Sequence, residues 1–403
     1  MPANAVEHRA WIVLGGVHLL NQTAPRCGDD PIVLVSVAPQ ENTAPGNTVI
    51  VRWDDLGDCP AQALTVAGDK LSQAGNIAGS DLFTHGTPGS ALRAMIGTAA
   101  AAALVPLCYL AEAPGGYYAY AQIHFFPEDA CFVRTTPAPV GASPVEELRW
   151  LEPVLEAHSA AALQLNNHKR YYRTHFAGTE LEFKYNLTSG TDIWATAMDL
   201  LKTLRTGGLV GCRPEYRDEF QANFTENHLF DVTGPEMEVG YASFVRTVEG
   251  GHVLKRKWYA EDTFARREEL SPVLDIPQSG FEEHLRGQLG LEVRAMPSFL
   301  RVRYDVHCES MTTGHVYGIF FDHCSLMSAP HVVLSQCELE YRRTRGIVDQ
   351  DPDGVMREME RIDSWLLGYL TLNGLADQRT FYSKRSFLRD AVTAHPELAS
   401  PKV

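Results

Sequence analysis

The sequence predicts an α+β protein in which an antiparallel β-sheet with flanking helices follows a smaller α/β segment. From residue 178 onward, successive runs alternate polar and apolar residues with a period of two, which is typical of strands with one buried face. Amphipathic helical stretches at 192–208 and 352–370 interrupt these runs. A tract rich in Pro, Ala, Gly and Ser at 135–147 separates them from an N-terminal part of different texture.

The N-terminal part is predicted to form a smaller α/β domain of unknown role. Short apolar runs alternate with turn-forming clusters, and the run 117–126 is typical of a strand. The Ala-rich stretch 95–111 predicts a buried helix, and its proline argues against a membrane span. The predicted division is an N-terminal domain at 1–140, a linker and helix at 141–165, and a second domain at 166–403.

Composition excludes several classes of protein. The chain has 403 residues, of which 45% are hydrophobic and 21% are charged, and this is typical of a globular protein. Its net charge of −15 argues against a protein that coats nucleic acid. The N-terminus lacks the charged start and cleavage site of a signal peptide, so we expect a cytoplasmic protein with no membrane partner. The eight scattered cysteines predict reduced thiols.

The most informative pattern is the alternation of charged and apolar residues in the predicted strands. In "GTELEFKYNL", Glu180, Glu182 and Lys184 share one face of a strand, and Leu181 and Phe183 share the other. The same spacing places further charged residues on common faces: Lys255 with Lys257, Arg267 with Glu269, Arg301 with Arg303, and Glu338 with Glu340 and Arg342.

Two interpretations of these faces are open. For any single strand, a solvated outer face with cross-strand salt bridges is the simpler interpretation. Across the set, however, acid pairs and base pairs lie on different strands. If the sheet closes into a barrel, these faces turn inward, where unpaired like charges are unstable unless cations meet the acids and a polyanion meets the bases. Mg²⁺ or Mn²⁺ with phosphate would satisfy both.

These residues resemble the CYTH superfamily, the triphosphate tunnel metalloenzymes. "ELEFK" at 180–184 is similar to the E-x-E-x-K signature of that family. "LKRK", "RREE", "RVR", "FFD" and "ELE" follow it in the family's order, over roughly 170–390. The resemblance implies a closed eight-stranded antiparallel β-barrel that forms a tunnel and binds a triphosphate-containing small molecule with Mg²⁺ or Mn²⁺.

The resemblance also implies roles for individual residues. Metal ligands are implied at four carboxylates: Glu180, Glu182, Glu338 and Glu340. Phosphate contacts are implied at five basic residues: Lys184, Lys255, Lys257, Arg301 and Arg303. Glu269 and Asp322 are implied to help hold metal or to orient the attacking water. A capping helix at 381–388 would place Lys384 near the tunnel mouth.

The predicted function is metal-dependent hydrolysis of an inorganic or organic triphosphate, with no nucleic-acid partner. One alternative is a nucleotide cyclase of the adenylyl cyclase type. Another is a non-catalytic accessory protein that binds polyphosphate or nucleotide, with a degenerate ketosynthase-like N-terminal domain suggested by "FTHGTPGS" around His85. The chain departs from compact relatives in a predicted loop at 188–237 and an insert at 270–297. The organic part of the substrate and the oligomeric state stay open.

Overall fold

The structure is a computed structural model that describes residues 9–20, 27–38, 46–72, 74–84, 86–166, 171–217, 220–248, 250–348 and 351–399. The chain divides into two compact units. The first comprises residues 1–173 with the short segments 310–315 and 343–351. The second comprises residues 174–309, 316–342 and 352–403.

The first unit contains an eight-stranded sheet in the order β3-β10-β9-β8-β1-β2-β4-β5, in which every neighbouring pair is antiparallel. The strands of the first unit are those of this sheet, the separate short pair β6–β7 and the two-residue β11. They are β1 (Ala10–Gly16), β2 (Pro31–Val37), β3 (Thr48–Arg52), β4 (Asp58–Thr65), β5 (Gly75–Ala78), β6 (Phe83–Thr84), β7 (Thr87–Pro88), β8 (Leu104–Ala113), β9 (Gly116–Phe125), β10 (Asp129–Arg134) and β11 (Tyr172–Arg173). Its helices are α1 (Ser90–Ile96), α2 (Thr98–Ala101), α3 (Leu151–Ala160) and α4 (Ala162–Leu165).

The helix predicted over 95–111 is wrong in its second half. The helical part ends within α2, and the remainder forms β8 in the middle of the sheet. Tyr109 packs in the core on one face of the sheet, and Leu110 packs in the core on the other. A strand buried on both faces is apolar throughout, so periodicity does not distinguish it from a buried helix.

Residues 141–165 are packed into the first unit. Val145, Trp150 and Val154 belong to the same apolar core as Val13 of β1. The indole of Trp150 donates a hydrogen bond of 2.7 Å to the carbonyl of Val145. The stretch predicted as a linker and helix therefore contributes to the core of the first unit, because its apolar residues cover one face of the sheet. His85, which the ketosynthase interpretation singled out, lies outside the described residues.

The second unit contains a closed barrel with two additional strands. Its strands are β12 (Thr179–Asn186), β13 (Cys212–Pro214), β14 (Gln221–Gly234), β15 (Gly240–Arg246), β16 (His252–Trp258), β17 (Ala265–Leu274), β18 (Glu292–Ala295), β19 (Phe299–Ser310), β20 (His315–Leu326) and β21 (Val333–Arg345). Its helices are α5 (Ile193–Arg205), α6 (Phe281–Glu283), α7 (Pro352–Leu372) and α8 (Lys384–Ala394).

Eight strands close the barrel in the order β19-β20-β21-β12-β17-β16-β15-β14. The ring closes because β14 also pairs with β19, from Gln221 opposite Asp305 to Asn227 opposite Phe299. This confirms the closed eight-stranded antiparallel β-barrel with flanking helices. β13 lies beside β19 and β18 lies beside β14, outside this ring.

Most elements of the barrel follow the predicted pattern. Each period-two run overlaps an observed strand, and both amphipathic stretches form helices, α5 and α7. Asp192 caps α5 by accepting a 3.0 Å hydrogen bond from the backbone of Ala195. Gly207, with φ of 80°, follows the end of α5 in a conformation that favours glycine. β14 lies wholly inside the predicted loop 188–237, so the loop prediction is wrong over 221–234, where consecutive polar residues hide the alternation.

The apolar face of the barrel points outward. Leu181, Phe183 and Tyr185 of β12 pack with Leu200 of α5 and Ile362 of α7 in one buried cluster. Because side chains alternate along a strand, the charged residues between them face the interior, here called the lumen. In the part of the chain that the structure describes, none of the helices combines the length and apolar character needed to cross a bilayer.

Candidate tunnel site

The signature strand β12 contributes three charged side chains to the lumen. Glu182 and Lys184 are 2% and 3% exposed, and the Glu180 side chain is 8% exposed. The Lys184 ammonium lies 2.7 Å from the Glu182 carboxylate, which also pairs with Arg266 of β17. Charges buried this deeply are stable only when each has a partner of opposite charge, and β12 and the neighbouring strands provide these partners.

One ion-pair cluster joins β12, β19, β20 and β21. Glu338 accepts contacts from Lys184 at 3.3 Å, from Lys384 at 2.6 Å, and from Arg303. Arg303 also binds Asp322 through two nitrogens at 2.6 and 2.7 Å. Lys384 lies 2.7 Å from Asp322. Two carboxylates therefore converge on one ammonium and one guanidinium.

A second cluster lies across β12, β16 and β17. Lys257 pairs with Glu180 and lies 3.2 Å from Glu268, and Lys255 lies 2.8 Å from the same Glu268 oxygen. Glu340 of β21 is bound by Arg342 at 2.6 Å, although the Arg342 side chain is 46% exposed. Acidic and basic side chains therefore alternate in the lumen and do not separate into one acidic and one basic region.

The carboxyl groups fall into two electrostatic classes. Burial alone would raise the pKa values of Glu180, Asp322 and Glu338, but the neighbouring cations outweigh it and hold each pKa well below its ordinary value. For Glu340 the balance is opposite, because burial and the charge of Glu180 raise its pKa. The first three are therefore firmly ionised, and Glu340 is the more easily protonated.

The structure brings most of the predicted site residues together. Those that share the lumen are Glu180, Glu182, Lys184, Lys255, Lys257, Arg303, Asp322, Glu338 and Glu340. Arg301 lies on the same face of β19 as Arg303. Its Nε atom is buried and has no hydrogen-bond partner within the described ranges.

Glu269 is the exception, and its predicted place in the tunnel is wrong. It lies on the outer face of β17, where its side chain is 57% exposed and binds Arg267 at 2.5 Å. Arg266 and Glu268 point into the lumen instead. In "ARREEL" both parities carry an Arg–Glu pair, so the spacing alone did not identify the inner one. Lys257 of β16 lies directly opposite Glu268 of β17, and this register places Glu268 on the inner face.

The helix α8 covers one end of the barrel, where β19 begins and β20 ends. Phe387 and Leu388 pack with Leu229 of β14, Phe299 of β19 and Leu326 of β20. The predicted capping helix is therefore present, and its first residue, Lys384, reaches the carboxylates of the lumen.

Asp231 anchors α8 to the barrel. Its carboxylate is buried and accepts contacts from Arg385 at 2.7 Å, from Arg389 at 2.9 Å through two nitrogens, and from Arg294 at 3.3 Å. Burial would raise the Asp231 pKa, but the hydrogen bonds from Arg389 and Arg385 lower it. One carboxylate therefore holds two successive turns of the helix.

Asp231→Asn is expected to loosen α8, because the buried Arg385 loses its counter-charge. We expect the free energy of unfolding to fall by about 3 kcal/mol and amide hydrogen exchange in 384–394 to accelerate before the rest of the barrel opens. Hydrogen exchange followed by mass spectrometry measures this, with the exposed Asp275→Asn as the matched control. Equal exchange in the two variants would show that the apolar contacts alone hold the helix.

The predicted metal ligands do not assemble into a metal site in this structure. Within the described ranges, no three or more Asp, Glu, His or Cys side chains form a group that could hold a metal ion. The carboxylates have the hard oxygen donors that Mg²⁺ and Mn²⁺ prefer. They meet in pairs, however, and ammonium or guanidinium groups occupy the positions between them. A divalent cation would have to displace such a group.

No protein-family profile matches the sequence, and no curated protein is significantly similar to it. Among solved structures, the chain is similar to a protein from Hippeastrum described as a putative adenylyl cyclase with a dominant triphosphatase activity. Identity is 15%, the TM-score is 0.32, and the match covers 53% of this chain and 96% of that one.

The RNA triphosphatase Pct1 of S. pombe is also similar. In complex with the Spt5 CTD, it matches at 10% identity with a TM-score of 0.22, covering 55% of this chain and 85% of that one. Without that partner, it matches at 11% identity with a TM-score of 0.22, covering 54% and 84%.

Proposed function

We propose that this chain hydrolyses a triphosphate-containing small molecule bound in the lumen of the barrel. The observation that carries the proposal is the concentration of basic side chains on the inner faces of three strands of the barrel, β12, β16 and β19, each close to a carboxylate. Lys184, Lys255, Lys257 and Arg303 all reach the same enclosed space. A linear polyanion is the ligand whose charge matches such a set.

The residues of the ion pairs provide both the cations that would bind phosphate and the carboxylates that would orient water. Phosphate oxygens compete with carboxylates for the same Lys and Arg donors, and bidentate Arg–phosphate contacts are at least as well matched as those of Arg303 with Asp322. Phosphoryl transfer depends mainly on positioning and on neutralisation of charge, and cations already fixed in the lumen provide both. Carboxylates released from these pairs are then available to orient water.

The requirement for Mg²⁺ or Mn²⁺ is predicted only from the resemblance of the sequence to the CYTH superfamily. When bound, such an ion would neutralise phosphate charge. Glu180, Glu182, Glu338 and Glu340 are the proposed ligands, and they would first have to release Lys257, Lys184, Arg266, Lys384, Arg303 and Arg342.

Phosphate release from tripolyphosphate, ATP and thiamine triphosphate tests the proposal, with Mg²⁺, with Mn²⁺ and with EDTA. Arg303→Gln is expected to reduce kcat/KM by about 100-fold or more, because it removes a donor that faces two lumen carboxylates. Glu283→Gln, exposed on α6, serves as the control. Absence of release from all three substrates under every condition would overturn the proposal.

The same experiment separates the alternatives. Formation of a cyclic nucleotide from ATP would indicate a cyclase. A rise of the melting temperature with tripolyphosphate, without turnover, would indicate a binding protein.

A further inference from the structure

Asp305 differs from the other carboxylates of the lumen. It lies on β19 two residues after Arg303, on the same inner face, and is 9% exposed. Its Oδ2 atom accepts a 3.0 Å hydrogen bond from the amide of Asn223 on β14. Its Oδ1 atom is buried and has no hydrogen-bond partner in the described part of the chain.

The other lumen acids are already engaged by cations. Glu180, Glu182 and Glu268 pair with lysines. Asp322 and Glu338 pair with Arg303 and Lys384. Glu340 pairs with Arg342. Across the described residues, Asp305 has no cationic nitrogen within ion-pair distance, so its Oδ1 atom is engaged neither by a cation nor by a hydrogen-bond donor.

The surroundings of Asp305 explain why it stays outside the network. Arg303, two residues before it on the same face, is committed to Asp322 and Glu338. Burial raises the pKa of Asp305, and the charge of Asp322 acts in the same direction, while Arg303, His307 and Arg301 oppose it. The facing residues on β14 and β20, Gln221 and Phe320, are uncharged.

We propose that Asp305 is the catalytic base that activates the attacking water, an inference that rests on the proposed triphosphate hydrolysis. Water bound to Oδ1 attacks the terminal phosphorus, and one of its protons passes to that oxygen. A P–O bond forms to the water oxygen while the P–O bond to the bridging oxygen breaks. The electron pair of the broken bond leaves with the remaining polyphosphate, and the proton is later released to solvent.

The geometry fits this role because a base needs an oxygen that no cation occupies and a fixed orientation. The hydrogen bond from Asn223 to Oδ2 fixes the orientation of the Asp305 carboxylate, so the position of Oδ1 is fixed as well. The unpaired charge also carries a stability cost, since a buried carboxylate without a cation is desolvated. Retaining such a group in an otherwise paired lumen is typical of a functional residue.

Asp305→Asn tests the inference in the full-length protein with tripolyphosphate as the probe. We expect kcat to fall by about 100-fold or more while KM changes by less than about threefold, because the amide orients but does not accept the proton. The acidic limb of the wild-type pH–kcat profile should disappear in the variant. The melting temperature at pH 7 should rise, since an uncompensated buried charge is removed.

Asp305→Ser provides a second variant in case the amide disturbs packing, and Asp275→Asn, exposed after β17, is the matched control. If the wild type hydrolyses tripolyphosphate and both Asp305 variants retain kcat within tenfold, or keep the acidic limb, Asp305 is not the base. If the wild type itself releases no phosphate, the proposed function fails, and the assignment of Asp305 falls with it.

Discussion

Replacing Glu338 with glutamine is expected to abolish phosphate release and to lower the free energy of unfolding by about 3 kcal/mol. Glu338 is 3% exposed and faces three cations, from Lys184, Lys384 and Arg303. The neutral amide removes the negative charge that Glu338 places next to these three cations. Asp322 and Glu182 continue to pair with them, so the loss stays at the lower end of the range for a broken buried ion pair.

Urea denaturation of the full-length protein measures the loss of stability, and the assay with tripolyphosphate measures the loss of activity. Glu283→Gln makes the same chemical change at an exposed position and should change stability by less than about 0.5 kcal/mol. A Glu338→Gln protein as stable as the control would show that water, rather than Glu338, compensates the lumen cations. Full activity in that protein would remove Glu338 from the site.

Acidification should destabilise the barrel sharply. The folded-state pKa values of Glu180, Asp322, Glu338 and Asp231 lie below their ordinary values. A carboxyl with a lowered pKa stabilises the fold above its unfolded pKa, near 4, and this contribution is lost as the pH falls toward the folded pKa. We expect the melting temperature to fall by about 5 °C or more between pH 5 and pH 3.

Two groups should act in the opposite direction at higher pH. Asp305 and Glu340 have raised pKa values, so their protonation removes a cost of burial and favours folding as the pH falls. The melting temperature should therefore hold or rise slightly between pH 7 and pH 5, where the carboxyls with lowered pKa values stay ionised in both the folded and the unfolded protein. Differential scanning calorimetry at high and low salt separates buried from surface pairs, because only surface pairs are strongly screened. A constant melting temperature down to pH 3 would contradict the lumen ion-pair network.

Local patterns predicted the barrel well because each strand has one apolar face. In "ELEFKYN" the apolar positions mark the side that packs beneath α5 and α7, so the charged positions were correctly assigned to a common face. Helices α5 and α7 were equally clear, since an amphipathic period and a capping signal mark their boundaries. β8 was mistaken for a helix because both of its faces are buried.

The sequence by itself determined which residues of β12, β16, β19 and β21 share a face, since alternation is a property of the extended backbone. It did not determine which parity of β17 faces inward, because both carry Arg and Glu. Only the tertiary structure decided that Glu268 rather than Glu269 lines the lumen and that Lys384 lies between Glu338 and Asp322. It also decided that Asp305 has no cation within ion-pair distance among the residues that the structure describes. These outcomes depend on strand register and on contacts between residues far apart in sequence, which no local pattern encodes.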